Sequence, residues 1–399
     1  MLRRVVLTGV IASLLAPPAE AQESWLGKEV FWKSGAVAKS GQQNISIDSV
    51  PFPAKVEQVE GELLRLGKAW VHQKDVFTDR ADALADCNER LRIEPNARLY
   101  NRRGAIWRLQ GQLDTALADY EAAIKLDPTE AAFFYNRGAV QFERGQPSKA
   151  LADYNEAIRL DPRHEIAYVG RAVIWNRQGK FDQAVNDFGQ AIECRPTHSP
   201  HYNNRGNVLL RLGKYDEAIT DYSEAIRLNP QYVKAYNNRG SAWRNKRDWD
   251  KALADYDAAI KLDSKFAVAY CNRGHTWADK GQYQRALDDY QQAVKLDAND
   301  DDSWTALARL QAACPDAKFR DGAAALTAAN KAGQLSVWKE ATDHENVALA
   351  QAENGDFDAA IRHIQRALDM DAKAHAAIRR QREEMLSLFR QRKPFRDKD

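Results

Sequence analysis

The chain reads as an all-α solenoid of antiparallel helix pairs preceded by a small β-barrel, and three observations carry that reading. A small residue directly after an arginine returns every 34 residues: Gly104, Gly138, Ala172, Gly206, Gly240 and Gly274 follow Arg103, Arg137, Arg171, Arg205, Arg239 and Arg273. Alanine and aromatic rows keep the same step, and the residues before the first repeat lack it, alternating β-prone runs with turn formers instead. A fixed period of this length marks one supersecondary unit that buries its apolar side only by stacking on neighbours.

At the start, Arg3 and Arg4 precede the apolar run Val5 to Ala16, and Ala19-Glu20-Ala21 offers a small-x-small cleavage site. Residues 1–21 therefore read as a secretory signal peptide, the run being too short for an ordinary membrane span. No cysteine follows the run, so a bacterial lipoprotein is not indicated, and no later stretch approaches membrane-spanning length. The mature chain is expected to be secreted, or periplasmic in a Gram-negative source, with no membrane span after signal removal.

Residues 22–77 carry the β-prone runs 29–32, 54–59, 62–66 and 69–72, punctuated by Ser34-Gly35, Ser40-Gly41, Pro51-Phe52-Pro53, Gly61 and Gly67. Short strands between turn signals at this spacing predict a small barrel. The stretch from Gly61 to Val71, where a strand pair ends on Trp70-Val71, resembles bacterial SH3-like domains. That resemblance implies recognition of a peptide or a cell-wall glycan, and Trp25, Trp32 and Trp70 are the aromatics such a barrel would present. The alternative is a β-cap that shields the first helices, and the two readings are compatible.

Residues 78–371 read as the solenoid, with six regular units over 97–300. Ala116, Ala150, Ala184, Ala218, Ala252 and Ala286 form one row, and Tyr120, Tyr154, Phe188, Tyr222, Tyr256 and Tyr290 a second. Ala123, Ala157, Ala191, Ala225, Ala259 and Ala293 form a third. Ala116, Tyr120 and Ala123 lie four and then three residues apart, hence on one helical face, where small residues let helices approach and the ring fills the gap. Gly111, Gly145, Gly179, Gly213 and Gly281 fall where a turn separates two helices, and Pro128, Pro162, Pro196 and Pro230 close the first four units. Residues 79–96 read as a partial leading repeat. After Asp300 the phase slips: Trp304 and Ala308 open a unit whose turn is lengthened by Cys314-Pro315-Asp316 and Arg320-Asp321-Gly322 before Ala325, Ala329 and Ala332. A last unit shows Gly355, Ala360, Ile364 and Ala367, and residues 372–399 supply a polar capping helix, to about 391, with a basic tail.

These positions, in the first unit Tyr100, Gly104, Trp107, Ala116, Tyr120, Ala123 and Pro128, resemble the tetratricopeptide repeat (TPR) family. The resemblance implies paired antiparallel helices coiling into a right-handed superhelix with a concave groove. It supports a non-enzymatic scaffold that binds protein or peptide partners, the alternative being a cell-envelope glycan-binding protein that uses the β domain.

Two rows bear on where ligands would sit. Asp119, Asp153, Asp187, Asp221, Asp255 and Asp289 precede the ring in the units that have the arginine, and both disappear together where Leu307 replaces arginine. That coupling predicts Arg–Asp braces rather than a basic ligand stripe. The ligand candidates are the variable positions beside the braces, which the TPR resemblance turns toward the groove: Asn101, Arg102, Asn136, Asn203, Asn204, Asn207, Asn237, Asn238, Ser241, Asn272 and His275. Arg108, Asn176, Arg211, Arg244 and Asn245 lie one turn on. Asparagine both donates and accepts, which suits an extended peptide backbone or sugar hydroxyls. The same row also reads as a solvated polar face, or as asparagines bonding the next repeat. Trp107, Trp175, Trp243 and Trp277 keep a fixed phase and are expected in the core.

Composition narrows the classes. The 58 basic and 56 acidic residues, less Arg3, Arg4 and Glu20, leave 56 and 55, so no global charge draws the chain to nucleic acid or anionic membrane. Cys87, Cys194, Cys271 and Cys314 lie in different repeats and are expected as free thiols. No catalytic constellation, cofactor motif or metal site is evident: the eight histidines are scattered, and Gly179-Lys180 and Gly213-Lys214 lack the lead of a phosphate loop.

Overall fold

A computed structural model describes residues 28–33, 36, 38–40, 43–45, 54–60, 63–67, 69–72, 76–371 and 376–397. The expected signal peptide, Trp25 and the last two residues of the tail lie outside the described residues. The chain divides into two compact units, residues 1–178 and 179–399.

In the first unit, strands β1 (Glu29–Trp32), β4 (Ala54–Lys55) and β8 (Val76–Phe77) form one antiparallel sheet in the order β4-β1-β8. Strands β2 (Ala38–Ser40), β3 (Gln43–Ile45), β5 (Gln58–Glu60), β6 (Leu63–Leu66) and β7 (Ala69–His72) form a second, in the order β3-β2-β7-β6-β5. The runs at 29–32 and 69–72 are strands over those same residues, while β2, β3 and β8 span only two or three residues each, too short for a sequence pattern. Alternation along β1 gives it two jobs. Val30 and Trp32 enter the β core with Ala38, Val56, Leu64 and Val71. Phe31 points the other way, into a cluster with Ala83, Cys87 and Ile106 of the first helices. Glu29 accepts from Arg80, whose guanidinium also reaches the Leu109 carbonyl. The β domain is thus packed on the helices, not tethered to them.

Helix α1 (Arg80–Ile93) leads, followed by α2 (Ala97–Leu109), α3 (Leu113–Leu126), α4 (Ala131–Glu143), α5 (Pro147–Leu160) and α6 (Glu165–Arg177). Asp79 and Asn96 cap α1 and α2 through their side-chain oxygens. The second unit holds α7 (Phe181–Cys194), α8 (Ser199–Arg211), α9 (Tyr215–Leu228), α10 (Val233–Asn245), α11 (Trp249–Leu262), α12 (Ala267–Asp279), α13 (Tyr283–Leu296) and α14 (Asp301–Ala313). First helices begin at 97, 131, 165, 199, 233, 267 and 301, each 34 residues after the last.

The small row exists because of the ring row. A Cβ added at Gly206, Gly240 or Gly274 would sit 2.7, 2.8 and 2.7 Å from the ring of Tyr222, Tyr256 and Tyr290, sixteen residues on. Gly104 and Gly138 stand in the same relation to Tyr120 and Tyr154 in the first unit. Beside each ring the predicted brace is formed. Arg103–Asp119, Arg137–Asp153, Arg205–Asp221, Arg239–Asp255 and Arg273–Asp289 are bidentate at 2.6–2.9 Å and join the two helices of one repeat. These aspartates are nearly buried and the arginines about a fifth to a quarter exposed. In the first unit Arg171 Nη1 also donates to Asn155 Oδ1 at 2.7 Å.

After α14 the regular unit breaks. A single 3-10 turn (Ala317–Phe319) begins where the next helix would have started, and α15 (Gly322–Ser336) begins five residues later. Helices α16 (Ala341–Glu353) and α17 (Phe357–Met370) make the last pair, and α18 (Ala376–Arg390) covers it by burying Arg382, Met385 and Phe389. The tail does not trail into solvent. It turns back, burying Phe395 beside Ala312, Ala313 and Leu349. None of the four cysteines forms a disulfide, and three of them are buried while Cys194 is partly so. No described helix is long and apolar enough to cross a membrane.

Candidate functional site

The ligand candidates meet one another more than they meet open space. Asn136 Nδ2 donates to Asn101 Oδ1 at 2.8 Å in the first unit. In the second, Asn238 Nδ2 donates to Asn203 and Asn207 at 3.1 and 3.0 Å, and Asn272 Nδ2 to Asn237 at 3.0 Å. The step is 35 residues in three of the four, so these side chains stitch α4 to α2, α10 to α8 and α12 to α10. Asn204 is partly buried on the same helix as Asn203 and Asn207.

The residues after the small position serve the buried rings. Tyr222 donates to Asn207 at 2.8 Å, and Tyr256 to Ser241 at 3.2 Å. The Tyr290 hydroxyl and His275 Nδ1 are 2.9 Å apart. In the first unit that position is Ala105 or Ala139, and the Tyr120 hydroxyl is buried with no hydrogen-bond partner among the described residues. Arg102, expected toward a ligand, is instead buried with its guanidinium 5.5 Å over the Trp32 ring. Arg211 is exposed and lies 4.6 Å over Phe181. Trp107, Trp243 and Trp277 are partly buried against the repeat cores.

One cleft of about 1120 Å³ opens in the second unit, on the ends of α10, α12 and α14. Of the candidates it gathers Arg244, Asn245 and His275, and it adds Trp249, Tyr283, Lys280, Arg247 and Arg309, which sequence reasoning passed over. Arg244 Nε contacts Asp279 at 2.6 Å, and Lys280 pairs with Asp250. Arg309 is shared between Glu345 and Asp397. Burial, reinforced by the charge of Arg244, pulls the His275 imidazole down to about 4, so it is neutral at pH 7. Its Nε2 is 3.6 Å from Cys271 Sγ, but burial pushes that thiol up to about 11, which leaves it a poor nucleophile.

Arg247 stands apart. Its backbone sits at φ 62°, in the left-handed region, at the turn where Gly111, Gly145, Gly179, Gly213 and Gly281 hold φ between 70° and 76° in the sister repeats. A non-glycine residue there costs about 1–2 kcal/mol. Arg247 is exposed, lines the cleft and makes no ion pair among the described residues. The signal was present in the sequence as the one gap in the glycine row.

Family models match in the regular region. Residues 104–145 and 206–243 match a TPR repeat model, 131–164, 233–266 and 267–300 a tetratricopeptide repeat model, and 188–220 another tetratricopeptide repeat model. Residues 104–164 and 188–300 are therefore tetratricopeptide repeats. A search of curated proteins finds no match. Among solved structures, the APC/C hetero-tetramer Cut9–Hcn1 aligns at 21% identity over 68% of this chain and 52% of that one, with a TM-score of 0.50. A tetratricopeptide repeat protein from Parabacteroides merdae aligns at 24% identity over 57% and 91%, TM-score 0.45. YrrB, described as a TPR protein with an unusual peptide-binding site, aligns at 23% identity over 46% and 95%, TM-score 0.40. The likeness to Cut9–Hcn1 is one of fold alone.

Proposed function

We propose that this chain is an exported, non-enzymatic scaffold whose second unit binds an extended protein or peptide segment in the cleft between α10 and α14. The observation that carries the reading is Arg247. A strained residue occupies a turn where glycine would be more stable, and its cation, which makes no ion pair among the described residues, faces a cleft that also presents Trp249 and Tyr283. Aromatic and arginine side chains are the usual anchors of protein interfaces. The asparagine candidates act in this reading by holding successive first helices in register.

For the N-terminal β strands we favour the cap, within an SH3-like module, because Phe31 is committed to the helices. Glycan recognition is the second reading and would use the other side of the sheets. Export follows from the signal peptide expected over residues 1–21.

The test is Arg247→Gly. It should stabilise the chain by about 1 kcal/mol in urea melts, while immobilised variant recovers less of the partner set that wild type captures from envelope extract. Loss of binding in a more stable protein cannot be unfolding. Undiminished capture by Arg247→Gly, or retention of the chain on purified peptidoglycan alone, would sink the cleft assignment.

A further inference from the structure

Helix α14 is stopped by Pro315, just past its cap residue Cys314, so its last carbonyls need partners from outside the helix. Gln311 O accepts from the Asp321 amide at 2.8 Å, and Cys314 O from Arg320 at 2.8 Å. The two between them are met by the returning segment: Ala313 O accepts from the Asp397 amide at 2.9 Å, and Ala312 O from Arg396 Nη1 at 3.5 Å. Three side chains complete the grip. Phe395, 4% exposed, fills an apolar socket between α14 and α16. The Asp397 carboxylate takes two bonds from Arg309, at 3.1 and 2.7 Å, and Arg396 reaches Glu353 at 2.6 Å.

The socket is charge-balanced without its occupant. Arg309 and Arg382 meet Glu345, Arg382 also meets Asp371, and Arg320 meets Glu353, so three cations face three carboxylates. The segment adds one of each, Arg396 and Asp397. Its departure strands no net buried charge, the feature that makes removal of half an ion pair so costly. Asp397 also lines the cleft described above, so its release uncovers the side of Arg309 that Glu345 does not hold and lengthens the same channel.

We propose that the α14–α16 socket is an exchangeable peptide-binding site, filled in the free chain by residues 394–397. Its partner is an extended segment presenting an aromatic ring and, two residues later, a carboxylate. The inference rests on the peptide-binding reading above and assigns one end of that channel its ligand chemistry.

A chain ending at Arg390 and a fluorescent synthetic peptide spanning residues 391–399 test it. Saturable binding in trans is expected, at least about tenfold tighter to the shortened chain than to the full chain, whose own segment competes at high effective concentration. Peptides carrying Phe395→Ala or Asp397→Asn should each bind about tenfold or more weakly, since each loses a buried ring or a charge-assisted bond. No saturable binding by a shortened chain that keeps its helical circular dichroism overturns the proposal. If the shortened chain loses that signal, hydrogen exchange on the full chain decides: an Asp397 amide exchanging well before that of Leu349 supports exchangeability, and co-exchange overturns it. A failed peptide with Arg247-dependent capture intact sinks this inference alone, and the converse sinks only the reading it extends.

Discussion

Replacing Arg239 by Met gives the sharpest test of the bracing row. Its guanidinium holds Asp255 through Nε–Oδ2 at 2.8 Å and Nη2–Oδ1 at 2.7 Å, and reaches Ser223 Oγ of the preceding repeat at 3.0 Å. The Asp255 side chain is 8% exposed and that of Arg239 22%. Breaking a buried ion pair from one side costs about 3–5 kcal/mol because the other charge is left unpaired, and partial water access here lowers the expectation to about 2–3 kcal/mol. Asp255→Asn keeps the shape and one acceptor and should cost about 1–2 kcal/mol. The double variant Arg239→Met/Asp255→Leu should be better than the sum of its singles by about 1–2 kcal/mol, because neither charge is then stranded. Urea melts followed by circular dichroism supply the midpoints. Single effects under about 0.5 kcal/mol that simply add would refute the bracing argument and return the arginines to a ligand-facing stripe.

Three further outcomes are expected. His275, held down near 4 against an ordinary value of 6.5, favours the neutral form in the folded state; its contribution is present above pH 6.5 and fades as pH falls toward 4. Between pH 7 and 5 that amounts to about 2 kcal/mol, read as the difference between wild type and His275→Gln; parallel pH curves would contradict it. Tyr222→Phe should cost about 1 kcal/mol through its lost bond to Asn207, whereas Tyr120→Phe, which removes a buried hydroxyl lacking a partner, should be neutral or stabilising; equal costs in urea melts would show the hydroxyls are equivalent. A thiol reagent should modify Cys194 first in the folded chain, since Cys87, Cys271 and Cys314 are buried; early labelling of Cys271, identified by peptide mapping, would contradict the burial.

The repeat was legible because its causes are local. Each Gly–Tyr contact and each Arg–Asp brace spans sixteen residues, recurs every 34, and uses side chains whose pairing is dictated by size and charge. The first helices accordingly start on the expected beat. The candidate site was legible only in part. Polarity alone marks Asn207, Ser241 and His275 as ligand contacts, yet each lies fifteen residues before a buried tyrosine hydroxyl that it meets, a pairing carried by the offset between rows and not by either row alone. Arg247 was missed because it is visible only as an exception to a glycine row. The return of the tail to α14 had no local signal at all. Arg309 and Asp397 are 88 residues apart, and only three-dimensional closure brings them together.

That closure has a consequence for how the protein is made. Early repeats need only their neighbours, so they can settle one after another as the nascent chain lengthens. Helix α14 cannot: two of its terminal carbonyls and its arginine wait for residues 396 and 397, so synthesis runs through α18 before that helix end is finished. That helix end is therefore the last part to close, a step separate from the folding of α15 to α18, which proteolysis of chains ending at residue 390 and at residue 399 would reveal as added resistance confined to the α14 end.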